Sequence, residues 1–344
     1  MSGKQLFAAG SYTALGGPGI RVFAIERERL AALYDVPIDD PIWLQLSPDG
    51  RYLYAACGGE GPNEGFVAAF APMNGDYAQG LTLLARREAH GVCPCHLCVA
   101  GGDLISANYA DGSISTFPLA DGVPGEMGQL IRHQGKGPHP RRQQGPHVHQ
   151  VIPLGADAFQ AQDLGTDRLV RYEKRQGRWE EAGAIPLPSG DGPRHVLING
   201  QMMYLATELS SFLRMFRMEK NGLTLLQSWK LPGDAYPADN YPAALRLSPD
   251  GALLAVSCRG ADGVSFFNVE PNGGLIPAGF APSGGCWPRD IWLLNRETLL
   301  CAHQKSGDVS LLKWKNNRLN TVDALRFPAP VALAALPCKE DHHG

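Results

Sequence analysis

The stretch PIWLQLSPDGRYLYAA, residues 41–56, decides the fold, and AALRLSPDGALLAVS at residues 243–257 repeats it. Each is an apolar strand, a Ser-Pro-Asp-Gly turn and a second apolar strand. Proline presets φ, aspartate bonds back to the backbone and glycine accepts a left-handed conformation, so the two strands form a tight hairpin. After each second strand come a Gly- or Asp-containing loop and another apolar strand that closes on an aromatic residue or leucine. This latter half of the pattern recurs seven times, from LFAAGSYTALGGPGIRVF at 6–23 to LLCAHQKSGDVSLL at 299–312. The closing residues are Phe23, Phe70, Phe117, Tyr172, Phe216, Phe267 and Leu312, at separations of 44 to 55 residues. Seven copies at this period predict an all-β fold, a seven-bladed β-propeller of four-stranded antiparallel blades.

The chain ends complement each other. The N-terminus supplies three strands (QLFAAG, IRVFAI and ALYDVP) without an innermost one, and the C-terminus supplies an orphan apolar strand, PVALAALP at 330–337. The C-terminal strand is expected to complete the N-terminal blade, which closes the ring and removes the open edges of a linear array. Residues 1–338 are read as one propeller domain and 339–344 as a disordered tail.

The 344 residues carry a formal net charge of −3, which gives no sign of a nucleic-acid partner. No apolar run reaches the about 18 residues a membrane span needs. The first residues have too short an apolar patch for a secretory leader, so a cytoplasmic location is expected. Eight cysteines without a regular framework suit reduced thiols. Cys93, Cys95 and Cys98 resemble a metal knuckle, but on a strand Cys95 and Cys98 alternate to opposite faces, and structural zinc wants four converging ligands. Neither metal nor cofactor is expected, and the partner is a small molecule bound by a monomer or weak homodimer.

Propeller geometry places the site. The innermost strand of each blade lines the channel, and its start lies on the same face as the end of the second strand. At that mouth the first strands begin with Cys95-His96, Gly145-Pro146-His147-Val148-His149, Gly192-Pro193-Arg194-His195, Asn240 and Pro288-Arg289-Asp290. The second strands end there with Asn108-Tyr109, Asp163, Glu208, Arg259 and His303-Gln304. The opposite face carries plain turns. His147 and His149, two apart, are expected to share the channel face, where a neutral imidazole can act as general base. Arg194, Arg259 and Arg289 form a cationic rim suited to carboxylate or phosphate, with structural pairing to Glu208 as the other reading. His96, Asn108, His195, Asn240, Arg289 and Gln304 are candidate substrate-binding residues. Arg141 and Arg142 lie in the long loop QGKGPHPRRQQGPH, where solvation alone would explain them.

At these residues the sequence resembles the bacterial propeller-type 6-phosphogluconolactonases and the related 3-carboxy-cis,cis-muconate lactonizing enzyme. The likeness runs blade after blade through Gly10-Ser11-Tyr12-Thr13, Pro94-Cys95-His96, the 145–149 and 192–195 stretches, Glu208-Leu209-Ser210-Ser211, Arg259-Gly260 and Pro288-Arg289-Asp290. It implies a metal-independent site of His147 or His149, Arg194, Glu208 and Arg259. The chain departs from the family after the second strand of the second blade, reading Cys57-Gly58 where Asn-Glu is frequent, and at Ala244 and Cys258, where Glu and Asn are frequent. The implied reaction is hydrolysis of a sugar lactone, foremost 6-phospho-D-glucono-1,5-lactone. A histidine helped by Glu208 would activate water, Arg194 and Arg259 would stabilise the oxyanion, and Arg289 with the basic loop would meet a phosphate. A muconate-type cyclisation and a non-catalytic binding scaffold are the alternatives.

Overall fold

The computed structural model describes residues 3–58, 64–220, 222–232 and 239–338. The expected disordered tail, 339–344, lies outside them. Seven antiparallel sheets follow one another along the chain, and six of them are built from consecutive strands. The remaining one closes the ring: Pro330–Leu336 pairs with Gln5–Ser11, which continues to Ile20–Glu26 and Arg29–Val36. The third blade adds a short outer piece, Val123–Pro124, beside Gln129–Arg132.

The two Ser-Pro-Asp-Gly turns adopt the same geometry. Ser47 and Ser248 each donate to the aspartate two residues on at 2.6 Å and accept a backbone N–H at 2.9 Å from Tyr52 and Leu253. Gly50 and Gly251 sit at φ 73° and 72°, where a Cβ would be strained. All seven residues that close the repeat are buried, because the third strand faces its neighbours on both sides. The core therefore lies between blades rather than in the channel. Between the last blade and the first it includes Phe7, Phe23, Leu300, Leu311, Phe327 and Leu333.

Val331, Leu333 and Leu336 of the closing strand are buried, and Leu333 N–H also bonds Asp290 Oδ2 in the neighbouring blade at 2.9 Å. Burying such side chains is worth about 1.5–3 kcal/mol apiece, a large part of the about 5–15 kcal/mol that holds a typical protein folded. A chain ending at Ala329 is expected to lose its cooperative thermal transition and to aggregate, read by circular dichroism and light scattering. Melting at the full-length temperature would show that the ring closes without this strand.

Candidate active site

The mouth is built by a repeated irregularity. On every innermost strand the pairing register slips near the start: between Pro41 and Trp43, Pro94 and His96, Val148 and Gln150, Pro193 and His195, Pro242 and Leu245, and Pro288 and Asp290. In the first blade the slip falls between Pro330 and Ala332. Such a bulge leaves one residue unpaired and re-aims it. The residues so released are Ile42, Cys95, His149, Arg194, one of Ala243 and Ala244, Arg289 and Val331. Most follow a proline, which has no N–H to lose at a strand start. Above this ring opens a cavity of about 880 Å³, lined by Ile42, Cys95, His149 and Arg289 among others.

The bulges overturn two expectations drawn from strict alternation. Cys95 and Cys98 do not diverge but join one interblade cluster. His147 and His149 do not share the channel. His147 precedes its strand, which runs Val148–Gly155, and its Nδ1 lies 2.8 Å from the Tyr109 carbonyl, on whose ring it stacks at 4.7 Å. His149 lines the cavity.

Glu208, at the end of the second strand of the fifth blade, is the electrostatic centre. Its Oε2 accepts from Arg259 Nη2 at 2.6 Å and lies 2.9 Å from Arg194 Nε, a close ion pair not aligned as a hydrogen bond. Its Oε1 accepts from Arg142 Nη2 at 2.5 Å, and the same nitrogen donates to Tyr109 Oη at 3.0 Å. Burial by itself raises the carboxyl pKa, but the charges of Arg259, Arg142 and Arg194 outweigh it and hold Glu208 well below the usual carboxylate range. Arg194 is brought down to about 9 by burial first and the charge of Arg259 second, and so stays cationic at neutral pH.

Below the cavity the channel is filled by rings in contact. Trp43 stacks on His96 at 4.0 Å, His96 meets His195 edge-on at 5.7 Å, His195 meets His149 at 5.6 Å, and His149 meets Tyr109 at 5.4 Å. All three histidines lie well below the ordinary imidazole value. Burial is the largest cause, followed by Arg246 for His96 and by Arg194 for His149 and His195. They are therefore neutral near pH 7. Among the described residues no group of three or more His, Cys, Asp or Glu side chains is arranged to hold a metal ion.

The remaining candidates divide. Arg289 donates to Gln304 at 3.2 Å across the cavity wall, and both line it. Arg259 is in the wall as well, beside Trp287. His96 and His195 lie deeper, in the ring stack. Asn108 is turned into its blade, donating to Ser113 and Ser115 and accepting from Ser106. Asn240 ties Ser211 and the Leu231 carbonyl together at 2.7 and 3.0 Å. Neither asparagine lines the cavity. Arg142 and Tyr109 complete the Glu208 cluster although sequence reasoning did not place them there. The signal for Arg142 was the widest repeat spacing, 55 residues, which marks an insertion at this mouth.

Because the native pKa of Glu208 is depressed, its stabilisation is complete above its ordinary value of 4.5 and is withdrawn as pH falls through the native value. Glu208→Gln leaves Arg194 and Arg259 without a counter-charge. It is expected to cost about 3–5 kcal/mol at pH 7 and to flatten the acid side of the stability profile, measured by denaturant unfolding from pH 3 to 7.

Known proteins share this architecture. The family model "Lactonase, 7-bladed beta-propeller" matches residues 6–334. A 6-phosphogluconolactonase of Bacillus subtilis is 28% identical over 352 residues, covering 97% of this chain and 99% of that protein. A 6-phosphogluconolactonase of Formosa agariphila is 29% identical over 318 residues, covering 86% and 88%. The solved structure of the periplasmic gluconolactonase of Pseudomonas aeruginosa superimposes with a TM-score of 0.90 at 26% identity, covering 98% of this chain and 100% of that one. By the reach of the family match and the seven closed blades, the chain belongs to the seven-bladed β-propeller lactonases.

Proposed function

We propose that the protein hydrolyses an anionic sugar lactone, with 6-phospho-D-glucono-1,5-lactone the best-fitting substrate and His149 the base. Membership of the lactonase family makes it a hydrolase of cyclic esters; the substrate and the roles of the residues are the proposal. The observation that carries it is the charge of the cavity wall. Arg142, Arg259, Arg289, Lys305 and Arg326 line it, against Glu208 as the one acidic side chain among the described residues. That excess favours an anion, and guanidinium grips carboxylate and phosphate bidentately.

Lactone opening needs an activated water, a stabilised tetrahedral oxyanion and a proton for the departing ring oxygen. His149 lines the cavity and its buried Nδ1 has no hydrogen-bond partner among the described residues, whereas His147 Nδ1 is engaged with Tyr109. In the proposed sequence His149 takes a proton as water adds to the lactone carbonyl. Arg259, in the cavity wall, faces the oxyanion, and Arg194, buried beside it against Glu208, adds its charge. Collapse of the adduct breaks the bond from carbon to the ring oxygen, which receives the proton from His149. Burial, and after it the nearby arginines, make His149 a weak base, and the arginine charges favour the anion forming beside it. Glu208, held by three guanidiniums, acts as their counter-ion and supports the imidazolium electrostatically.

No helix among the described residues is long and apolar enough to cross a membrane. No disulfide joins any of the cysteines among the described residues. A cytoplasmic location is proposed for this chain, and the relative from Pseudomonas aeruginosa is named periplasmic.

Purified protein is to be mixed with fresh 6-phosphogluconolactone or gluconolactone, and acid release followed against the spontaneous rate. The phosphorylated lactone is expected to be the faster. Absence of acceleration with either would refute the proposed substrate class. His149→Ala should lower kcat by about 10²- to 10⁴-fold, and His147→Ala by less. Because His149 is held below 6.5, the acid limb of kcat/KM should lie below that pH. A limb at pH 7 or above would assign the base elsewhere.

A further inference from the structure

We propose that Arg142 is the charge-selecting residue of this site: without ligand it rests on Glu208 Oε1 and Tyr109 Oη, and it exchanges Glu208 for the ligand's anionic group. The proposal rests on the lactonase reading for the identity of its ligands, but not for its geometry.

The two oxygens of Glu208 are divided by the kind of backbone that serves them. Oε2 faces Arg194 and Arg259, from strands Pro193–Asn199 and Leu253–Arg259, whose side chains are 4% and 8% exposed. Oε1 faces Arg142, from a loop, whose side chain is 34% exposed. Among the described residues the Arg142 guanidinium makes its hydrogen bonds through Nη2 alone, while its backbone N–H donates to His139 Nδ1 at 3.1 Å. Its Nε and Nη1 are thus available for the paired N–H grip that suits phosphate or carboxylate. If Arg142 departs, Glu208 keeps two buried guanidiniums and is never left as an unpaired buried charge. The exchange is therefore not opposed by the penalty that a stranded carboxylate would carry.

The loop is built to deliver this one side chain. Asp163, fully buried, fastens both ends: His133 Nδ1 lies 2.8 Å from Oδ2, and the N–H of His147 donates to Oδ1 at 2.9 Å. His133 Nε2 is in turn 2.9 Å from Tyr172 Oη. Gly165, just after Asp163, has no room for a Cβ against the Gly145 carbonyl, so the loop lies flat on the blade end. Beside Arg142, Gln143 is buried and bonds the N–H of His139 and the carbonyl of Leu164. The base of the loop is fixed while the Arg142 guanidinium hangs over the cavity, an arrangement that lets one side chain change partners without moving the backbone.

The test uses the two open-chain acids, which bind without reacting, and the two lactones. Binding of 6-phosphogluconate and gluconate is measured by calorimetry for the wild type, Arg142→Gln and Arg142→Lys, with the thermal midpoint of each. Arg142→Gln should weaken 6-phosphogluconate by about 10- to 100-fold, the worth of a hydrogen bond to a charged group, and gluconate by less than about 3-fold. Arg142→Lys should restore part of the difference. The ratio of kcat/KM for the phosphorylated over the plain lactone should fall in parallel, mostly through KM. Equal weakening of both acids, no change in either, or a wild type that does not tell them apart would overturn the proposal. A wild type that hydrolyses neither lactone yet loses only 6-phosphogluconate in Arg142→Gln would sink the lactonase reading and leave Arg142 as the charge selector.

Discussion

One surplus residue at the mouth end of each innermost strand is the constraint on which the site depends. In an unbroken antiparallel ladder every residue of that strand is committed to alternate faces. The slip frees one position per blade from pairing, and ring closure sets the seven freed positions around a common axis. Their chemistry then divides the mouth. Ile42, Cys95 and Val331 make one arc apolar, while His149, Arg194 and Arg289 make the other polar or cationic, interrupted by the alanine of the sixth blade. The blades supply a rigid frame whose stability comes from the contacts between them, so the mouth can be occupied by groups chosen for chemistry rather than cohesion.

Those groups are costly to keep. Two guanidiniums with almost no solvent access share one carboxylate with a third, and burial, followed by the charge of Arg259, depresses the pKa of Arg194. Such a cluster gains little stability from its own salt bridges, since desolvation offsets most of the attraction. What it gains is a field set in place before any ligand arrives. Donors already aimed at a point where negative charge will develop need not reorganise during reaction. The neutral histidines below belong to the same arrangement: burial first, and then the arginine charges, keep them unprotonated, and those charges also favour an anion above them.

Much of this was legible in the sequence. The Ser-Pro-Asp-Gly hairpins and the seven closing residues are local signals repeated at one period, and they located the blades. The incomplete first blade and the orphan strand PVALAALP located the closure. Arg194, Arg259 and Glu208 were found because charge at a strand end on one face is unusual. What failed was parity. Whether His147 or His149 faces the channel depends on a bulge that no residue of the strand announces, and the same slip brings Cys95 and Cys98 to one side. Asn108 was misplaced because its partners, Ser106, Ser113 and Ser115, are unremarkable polar residues until the strands are aligned. Arg142 could be read as a solvated loop residue because its partner lies 66 positions away, at the end of a strand in the fifth blade.

The closing strand has a consequence for how the chain is made. Pro330–Leu336 is translated after every other strand of the ring, yet its partner, Gln5–Ser11, is among the first to emerge. At about 5–20 residues per second, the free edge of Gln5–Ser11 waits on the order of tens of seconds for its neighbour. During that interval QLFAAGS presents an apolar row of unpaired backbone groups to the nascent chain's surroundings, the kind of edge on which strands of other molecules pair. The order of synthesis therefore makes the first blade the point of greatest exposure to misassembly, and fits it as the place where a chaperone would have most to protect.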